Sequence, residues 1–354
     1  MGNLRFGLLG FGAIGKVRAR ALTRTPGCSL AAICDADPAR RAQAPAGAAV
    51  FASAQELLNS GACDAVVIST PPDSHAELAV QAMERGLHAI VEKPIANTPQ
   101  AIARMLHSAA TTGRTLTVGF NHRYFKGVKR LRAAIDRYEI GELRYVKAYA
   151  GHVGLPELRS PWMYDKRVMG GGTLMDNGIH VIDLMRHLMG DVVEVTALLP
   201  QPVWKLGVEE NAFVQLAGRD GVLGSLHSSW TAWQGYKFRI EVVGTDGMAQ
   251  MSYAPMYSQV VRVRREPSFK KSSERNFYLS DIVREKIFSW QATVVETFVE
   301  EFADFRDLVD NRPGPKTIAT GHDGERAVAI ANAAYESVTA RRTVTLPNTA
   351  EGSP

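Results

Sequence analysis

Residues 4–119 alternate short apolar runs with longer helical segments. Five runs have the nearly continuous apolar character of buried parallel strands, namely Leu4–Gly10, Ser29–Asp35, Ala65–Ser69, His88–Val91 and Thr115–Gly119. The segments between them are predicted helices, with Ser53, Asp73 and Thr98 as N-caps, and they span Ala13–Thr25, Pro38–Ala44, Ser53–Asn59, Asp73–Arg85 and Thr98–Thr112. This rhythm predicts βαβ units and a doubly wound parallel sheet, an α/β Rossmann domain.

A GxGxxG turn follows the first predicted strand and opens the first predicted helix. It consists of Gly10, Phe11, Gly12, Ala13, Ile14 and Gly15. The first glycine permits the tight turn, the second lets the backbone approach a pyrophosphate, and the third lets the helix pack closely on the strand. The amides at the start of the helix can then receive the phosphate charge. We therefore expect these six residues to bind a dinucleotide.

An acidic residue, Asp35, ends the second predicted strand, twenty residues after Gly15. A carboxylate at this place accepts hydrogen bonds from the ribose hydroxyls of NAD and repels the 2′-phosphate of NADP. Asp35 therefore favours NAD. Arg40 and Arg41 follow closely enough to pair with a 2′-phosphate, so NADP stays open as the alternative.

After Asn121 the pattern changes to strand-like segments in which apolar and polar residues alternate. A basic helix is predicted over 125–138, and the strand-like segments are Glu142–His152, Val192–Leu199, Asn211–Leu216, Gly221–Ser229, Lys237–Val243 and Gln259–Arg265. Such alternation predicts an open, mainly antiparallel sheet with one face in water. Helices over Ile282–Val309 and Gly324–Ala340 and a last strand over Thr343–Pro347 complete a predicted α+β domain.

The length of 354 residues suits two domains, which we expect at residues 1–121 and 122–354. It stays open whether the last helix and strand pack back on the first domain. With 41 basic and 36 acidic residues, the net charge of +5 is compatible with an anionic ligand and does not point to nucleic acid. The apolar fraction of 45% excludes a disordered or fibrous chain.

The three cysteines, Cys28, Cys34 and Cys63, form neither a disulfide framework nor a metal-binding pattern. They indicate a reducing compartment, so we expect a cytoplasmic protein. No apolar run reaches the roughly 18 residues of a membrane span, and the N-terminus lacks the features of a signal peptide. The histidines and carboxylates lack metal-ligand spacing, so we expect no metal. From the apolar runs and the net charge we expect no membrane and no nucleic-acid partner.

Two further motifs point to an enzyme class. Glu92-Lys93-Pro94 follows the fourth predicted strand, and a run of three glycines, residues 170–172, leads to Asp176, His180 and Asp183. Together with Thr70-Pro71-Pro72 and residues 121–123, these motifs resemble the Gfo/Idh/MocA family, the glucose-fructose oxidoreductase and inositol dehydrogenase family. The resemblance runs over nearly the whole chain.

The chemistry of these residues fits the oxidation of a secondary alcohol. His180 is the expected general base, because a neutral imidazole accepts a proton near pH 7. Lys93, after a parallel strand, is placed to hydrogen-bond the reacting oxygen. Asp176 is four residues before His180, so on a helix both share one face, and we expect it to bind substrate hydroxyls and Lys93. The glycines suit a loop that approaches a ligand closely.

The resemblance implies that Lys93, Asp176 and His180 are the catalytic set, and that the Lys93–Pro94 bond is cis. It also implies a place beside the cofactor for Thr70, Pro71, His75, Glu92, Lys93 and Asn121. Alternatives for two of them stay open: His75 as a helix-terminal histidine in its own hydrogen bond, and Asn121 as a hinge residue. Candidate substrate contacts are Arg123, which shares the hinge alternative, and Arg159, Trp162 and Tyr164, for which packing is the alternative.

These observations together predict an NAD(P)-dependent dehydrogenase or reductase that acts on a secondary CH–OH of a sugar, an inositol-like polyol or a sugar derivative. The family resemblance implies a homo-oligomer, a dimer or tetramer. A glycosidase that oxidises its substrate transiently with bound NAD is one alternative. A non-catalytic nucleotide-sensing regulator is another, although such a protein has little need of the three catalytic side chains.

Overall fold

A computed structural model describes residues 3–253, 255–314 and 316–347. The chain divides into two compact units. Within the described residues, the first comprises 3–124 together with 283–325, and the second comprises 125–282 together with 326–347. Each unit is built on its own sheet.

The bounds of the elements in the described residues are as follows. The strands are β1 (Leu4–Leu9), β2 (Cys28–Cys34), β3 (Ala49–Phe51), β4 (Ala65–Ile68), β5 (His88–Val91), β6 (Leu116–Val118), β7 (Leu143–Gly151), β8 (Val192–Leu198), β9 (Asn211–Gly218), β10 (Leu223–Ser229), β11 (Lys237–Gly244), β12 (Gly247–Tyr253), β13 (Tyr257–Arg264), β14 (Lys270–Phe277), β15 (Ala319–Thr320) and β16 (Val344–Thr345). The α-helices are α1 (Ala13–Leu22), α2 (Pro38–Arg41), α3 (Ala54–Asn59), α4 (His75–Glu84), α5 (Pro99–Thr112), α6 (Lys126–Asp136), α7 (Lys166–Met169), α8 (Ile179–Met189), α9 (Leu279–Phe288), α10 (Gln291–Val309) and α11 (Gly321–Ala340).

The sheet of the first unit has the strand order β15-β6-β5-β4-β1-β2-β3. Strands β1 to β6 are all parallel, and β15 pairs antiparallel with β6. The five expected strands are present, and the Rossmann prediction is confirmed. Parallel strands of this order bind ligands at their carboxyl ends, where Gly10, Asp35, Glu92 and Gly119 lie.

Two of the three expected helix caps are present. The Ser53 side chain accepts from the Glu56 amide in a capping box, and Thr98 accepts from the Ala101 amide. Asp73 is not a cap. It lies within a 3₁₀ turn over Pro72–Ser74, and α4 begins only at His75.

The segment 283–325 differs from the expected division of the chain. The single helix expected over Ile282–Val309 is two helices, separated where Ser289 has a φ of 70°. Helix α10 packs on the first unit, with the ring of Phe302 5.2 Å from that of Phe6. Residues 122–354 therefore do not form one domain, because the buried aromatic face of α10 completes the core of the first unit.

The sheet of the second unit has the order β14-β13-β12-β11-β7-β10-β9-β8-β16. Its pairs are antiparallel except that β7 and β10 run parallel, so the mainly antiparallel prediction is confirmed. Strand β16 pairs with β8, so the last strand belongs to this sheet and not to the first domain. Helix α8 packs on β7 in the same unit.

Candidate active site

The glycine turn between β1 and α1 places different demands on its three glycines. Gly10 has a φ of +92°, and a Cβ there would lie 2.8 Å from the carbonyl oxygen of Ser69. A Cβ on Gly15 would lie 2.2 Å from the carbonyl oxygen of Gly10. A Cβ on Gly12 would meet only the end of Arg40, at 3.8 Å. The space above Gly12 is therefore open, as the approach of a pyrophosphate to the backbone requires.

Asp35 braces this turn. Its Oδ2 accepts from the Phe11 amide at 2.7 Å, and its Oδ1 accepts from the Asp37 amide at 2.9 Å. Arg41 donates to the backbone carbonyls of Asp35 and Ala36, at 2.7 and 2.8 Å. Arg40, half exposed, lies 3.5 Å from Asp35. The acid is thus at the end of β2 next to the turn, and of the two arginines only Arg40 is directed toward its carboxylate.

An NAD molecule fits these features. The turn offers an open backbone at Gly12, Ala13 and Ile14 begin α1 with its first amides, and a carboxylate stands at the end of the neighbouring strand. Amides at a helix N-terminus bind phosphate, and the carboxylate suits ribose hydroxyls.

His75 is fully buried between two backbone carbonyls. Its Nε2 lies 2.8 Å from the carbonyl oxygen of Thr70, and its Nδ1 lies 3.0 Å from that of Pro94. Burial lowers the pKa of the His75 imidazole below its ordinary value. A neutral imidazole has one N–H and donates to only one of these two carbonyls. The contacts favour the alternative in which His75 is a buried histidine in its own hydrogen bond, placed between the segment after β4 and the Lys93–Pro94 segment.

The Glu92-Lys93-Pro94 segment after β5 is held in place by a buried ion network that includes Glu92. Arg18, with no exposed surface, donates from Nε to Glu92 at 2.5 Å and from Nη1 to Glu301 at 2.6 Å. The other oxygen of Glu92 accepts from the Lys93 amide at 3.3 Å. The Lys93–Pro94 bond is cis, as the family resemblance implies. Glu92 therefore fixes the backbone of Lys93 and does not present a free carboxylate.

His122 lies near Lys93 and was not predicted as a site residue. Its pKa is lowered to about 3 by burial and then by the positive charge of Lys93. The imidazole is therefore neutral near pH 7. The signal that could have found it is its place after β6, at the same sheet edge as Lys93 after β5.

Asn121 and Arg123 make internal contacts within the first unit. Asn121 donates to the hydroxyl of Thr297 on α10 at 2.9 Å. Arg123, 5% exposed, pairs with Asp323 at 3.4 Å and donates to the carbonyl of Thr317. Both residues therefore attach the segment 283–325 to the rest of the first unit, which favours the structural alternative over a substrate role for Arg123.

In the second unit, Asp176 and His180 lie on one continuous helical stretch. Residues Leu174–Gly178 form a π-helical turn, and α8 follows from Ile179. Asp176 is 6% and His180 8% exposed, so both side chains are largely withdrawn from water. Asp183, one turn further, is fully buried. The wider π turn was not expected, and such turns occur often at functional sites.

Asp176 is surrounded by donors that come from two neighbouring strands. Its Oδ2 accepts from Nε1 of Trp230 and from Nε2 of His152, both at 3.1 Å. Trp230 follows β10 and His152 follows β7, and these parallel strands pair Ser229 with Gly151. With Nε2 protonated, His152 accepts from Arg159 through Nδ1, at 2.8 Å.

Two of the three remaining candidates join this cluster. Arg159 comes within 3.9 Å of Oδ2 of Asp176. Tyr164 packs edge-on against Trp230, with ring centres 5.5 Å apart, and donates to the carbonyl of Gly154. Trp162 is half-buried in the 3₁₀ turn Pro161–Tyr164. The structure thus brings Arg159 and Tyr164 to Asp176, Arg159 directly and Tyr164 through Trp230.

The chain matches two family models. Residues 4–120 match the model described as an oxidoreductase family with an NAD-binding Rossmann fold, and residues 128–250 match the GFO/IDH/MocA C-terminal domain. The two matches together cover more than half of the chain. The chain belongs to the Gfo/Idh/MocA oxidoreductase family. Its first unit is accordingly an NAD-binding Rossmann domain.

Relatives of known name in this family align over almost the full length. An inositol 2-dehydrogenase from Rhizobium meliloti (strain 1021) is 30% identical over 352 residues, which are 97% of this chain and 99% of the relative. A myo-inositol 2-dehydrogenase from Thermotoga maritima is 26% identical and covers 97% of this chain and 98% of its own. The solved levoglucosan dehydrogenase in complex with NADH has the same fold, with a TM-score of 0.86, 22% identity and 98% of this chain and 100% of that chain covered.

His152, Trp230 and Arg18 contact candidate site residues, and the sequence interpretation missed them. His152 is the last residue of one predicted strand and Trp230 directly follows another, which is a usable signal. That the two strands are parallel neighbours was not predictable from an alternating pattern, which reads the same in either direction. Arg18 was hidden because a charged residue within a helix ordinarily faces water.

In the described ranges no group of three His, Cys, Asp or Glu side chains could hold a metal ion. No helix in that part of the chain is both long enough and apolar enough to cross a membrane.

Proposed function

We propose that this protein is an NAD-dependent dehydrogenase of an inositol-like polyol or a sugar, acting at a secondary CH–OH. The names of the aligned inositol dehydrogenases support this substrate class. The observation that carries the proposal is the buried cluster in which Asp176 accepts from Trp230 and His152, on the helical stretch that also bears His180. Hydrogen-bond donors and acceptors grouped in this way suit the many hydroxyls of a polyol.

The proposed catalytic set is Lys93, Asp176 and His180. His180 takes the hydroxyl proton, Lys93 hydrogen-bonds the reacting oxygen and stabilises its alkoxide character, and Asp176 binds substrate hydroxyls. Bound NAD supplies the hydride acceptor, so the carbinol carbon loses a hydride and its oxygen becomes a carbonyl. The reverse reduction uses the same groups with the opposite proton transfer.

NAD is the preferred cofactor in this proposal, and NADP is the alternative. Asp35 places a negative charge at the end of β2, and a 2′-phosphate there would be repelled. Arg40 is the residue able to offset that charge, since Arg41 is engaged with backbone carbonyls. Neither the glycosidase nor the regulator is favoured by the relatives' names.

We also propose a cytoplasmic homo-oligomer, a dimer or tetramer, with no nucleic-acid or membrane partner. The three cysteines are free and buried. Burial raises the pKa of each thiol to about 11, so they are unreactive thiols that suit a reducing compartment.

The test is an assay of NADH formation over a panel of inositols and sugars, with NAD and NADP compared. We expect turnover with NAD on at least one inositol or sugar. His180→Ala and Lys93→Ala should each lower kcat by about 10²-fold or more and leave the Kd for NAD largely unchanged. His107→Ala, on the exposed face of α5, is the matched control and should keep full activity. A protein that binds NAD yet oxidises no member of the panel would overturn the proposal.

A further inference from the structure

Three consecutive amides at the start of the helical stretch that bears Asp176 and His180 are held by one residue, Glu209. Its Oε2 accepts from the Gly172 amide at 2.8 Å, and its Oε1 accepts from the Leu174 amide at 2.9 Å. Its backbone carbonyl accepts from the Thr173 amide between them, at 2.9 Å. Glu209 lies far away in the sequence, just before β9, and therefore acts as a cap from another part of the fold.

The carboxylate of Glu209 is itself held by Tyr335 of α11. The hydroxyl of Tyr335 donates to Oε1 of Glu209 at 2.8 Å. Burial raises the pKa of Tyr335 well above its ordinary value, so the hydroxyl stays protonated and remains a donor. A carboxylate at a helix N-terminus also interacts favourably with the helix dipole.

The glycine run is shaped by this contact. A Cβ on Gly171 would lie 1.9 Å from the hydroxyl of Tyr335, and a Cβ on Gly172 would lie 2.1 Å from the carbonyl oxygen of Glu209. At both positions protein atoms approach the backbone closely, and this approach by itself favours glycine. Asp176 lies four residues after Gly172, and its amide donates to the carbonyl of Gly172 at 3.0 Å.

We propose that Glu209 and Tyr335 form a clamp that sets the position of Asp176 and His180. Glu209 and Tyr335 are thus positioning residues for the proposed dehydrogenation. The inference rests on the proposed function. The clamp fixes the amides of residues 172–174. The π turn links these amides to Asp176, and the first residues of α8 link them to His180. A misplacement of reacting groups by about 1 Å can cost 10²-fold in rate.

Two variants test the clamp. Glu209→Gln replaces one carboxylate oxygen by an amide that cannot accept from a backbone N–H, and Tyr335→Phe removes one donor without changing the ring. The matched control is Glu210→Gln. Glu210 is the neighbouring buried carboxylate, and its side chain accepts from the amides of Val203, Trp204 and Leu206 in a different loop.

The readouts are kcat, the Kd for NAD, and the primary isotope effect with a substrate deuterated at the reacting carbon. We expect Glu209→Gln to lower kcat about 10- to 100-fold, and Tyr335→Phe to lower it less. In both variants the Kd for NAD should be unchanged and the isotope effect should rise, because hydride transfer becomes slower. A variant that is only less well folded loses active molecules but keeps the isotope effect of the wild type.

Hydrogen exchange gives a readout that needs no turnover. The amides of residues 172–174 should exchange faster in Glu209→Gln and Tyr335→Phe than in the wild type or in Glu210→Gln. Provided that the wild type is active, the clamp proposal fails if kcat and the isotope effect of both variants equal those of Glu210→Gln. If the wild type oxidises no substrate, the proposed function fails. Faster exchange of amides 172–174 in the two variants would then still show that Glu209 and Tyr335 hold these amides.

Discussion

Three glycines with the same letter in the sequence have three different physical roles in the cofactor turn. Gly10 is needed for its positive φ, and Gly15 is needed because the Gly10 carbonyl approaches it. Gly12 has neither constraint, since its φ of −73° suits any residue and its Cβ direction is open. The chain could accommodate a side chain at Gly12, so we expect glycine there to serve the approach of the ligand.

Gly12→Ala should therefore fold normally and lose NAD binding. We expect the free energy of unfolding to stay close to that of the wild type and the Kd for NAD to rise at least about tenfold, which is about 1.4 kcal/mol. Urea unfolding and calorimetric titration with NAD measure the two quantities.

Gly15→Ala is the matched comparison at the other end of the turn. Its new Cβ meets a backbone oxygen, so we expect a loss of stability of about 1–3 kcal/mol. The assignment of roles would be wrong if Gly12→Ala lost stability as much as Gly15→Ala does.

At the scale of the element, α10 contributes a buried charge as well as aromatic side chains. Glu301 is 1% exposed and pairs with Arg18, whose guanidinium carbon lies 4.0 Å from the centre of the Phe298 ring. Burial outweighs the attraction of Arg18 and raises the pKa of Glu301 from 4.5 to about 7. The folded protein therefore binds a proton at Glu301 more tightly than the unfolded chain does.

This shift gives stability a pH dependence. The contribution of Glu301 is fully present below pH 4.5 and is lost as the pH rises to about 7. Its slope approaches about 1.4 kcal/mol per pH unit between these values. In Glu301→Gln we expect this fall of stability with rising pH to disappear, as measured by urea unfolding at a series of pH values.

Glu300→Gln, at the exposed neighbouring position of α10, is the control and should keep the wild-type slope. An unchanged slope in Glu301→Gln would show that Glu301 titrates in the folded protein as it does in the unfolded chain.

The sequence pattern located best the strands that are buried on both faces. Strands β1, β2, β4, β5 and β6 are apolar because both faces are covered, and their positions were predicted within one or two residues. Strand β14 was missed because every one of its residues is exposed, so it carries no apolar signal. Strand β3 has only three residues and no buried one.

At the scale of the whole molecule, the first unit is assembled from two distant stretches of chain. Residues 283–325 supply Phe302 and Phe305 to the ring of Phe6, Glu301 to Arg18, and β15 to the edge of β6. Without them, an apolar face and the charge of Arg18 would lose much of their cover. Arg18 would keep Glu92 and lose Glu301, and removing one partner of a buried ion pair is destabilising.

A chain ending at residue 124 should consequently fail to fold stably, although it contains the whole GxGxxG and Glu92-Lys93-Pro94 region. We expect no cooperative urea transition and no measurable NAD binding. The control is a chain in which residues 1–124 are joined by a flexible linker to 283–325, and this chain should recover both. Cooperative unfolding and NAD binding by residues 1–124 alone would contradict this account.

The sequence alone determined the Rossmann sheet, the turn that binds the dinucleotide and the candidacy of Lys93, Asp176 and His180, because strand, turn and helix signals are local and lie in order along the chain. The distant residues that support them became known from the folded chain. Arg18 and Glu301 are 283 positions apart, His152 and Trp230 meet through two parallel strands, and Glu209 and Tyr335 meet at the glycine run. The physical reason is that contacts between distant segments depend on how elements pack, and local patterns of polarity do not encode that packing.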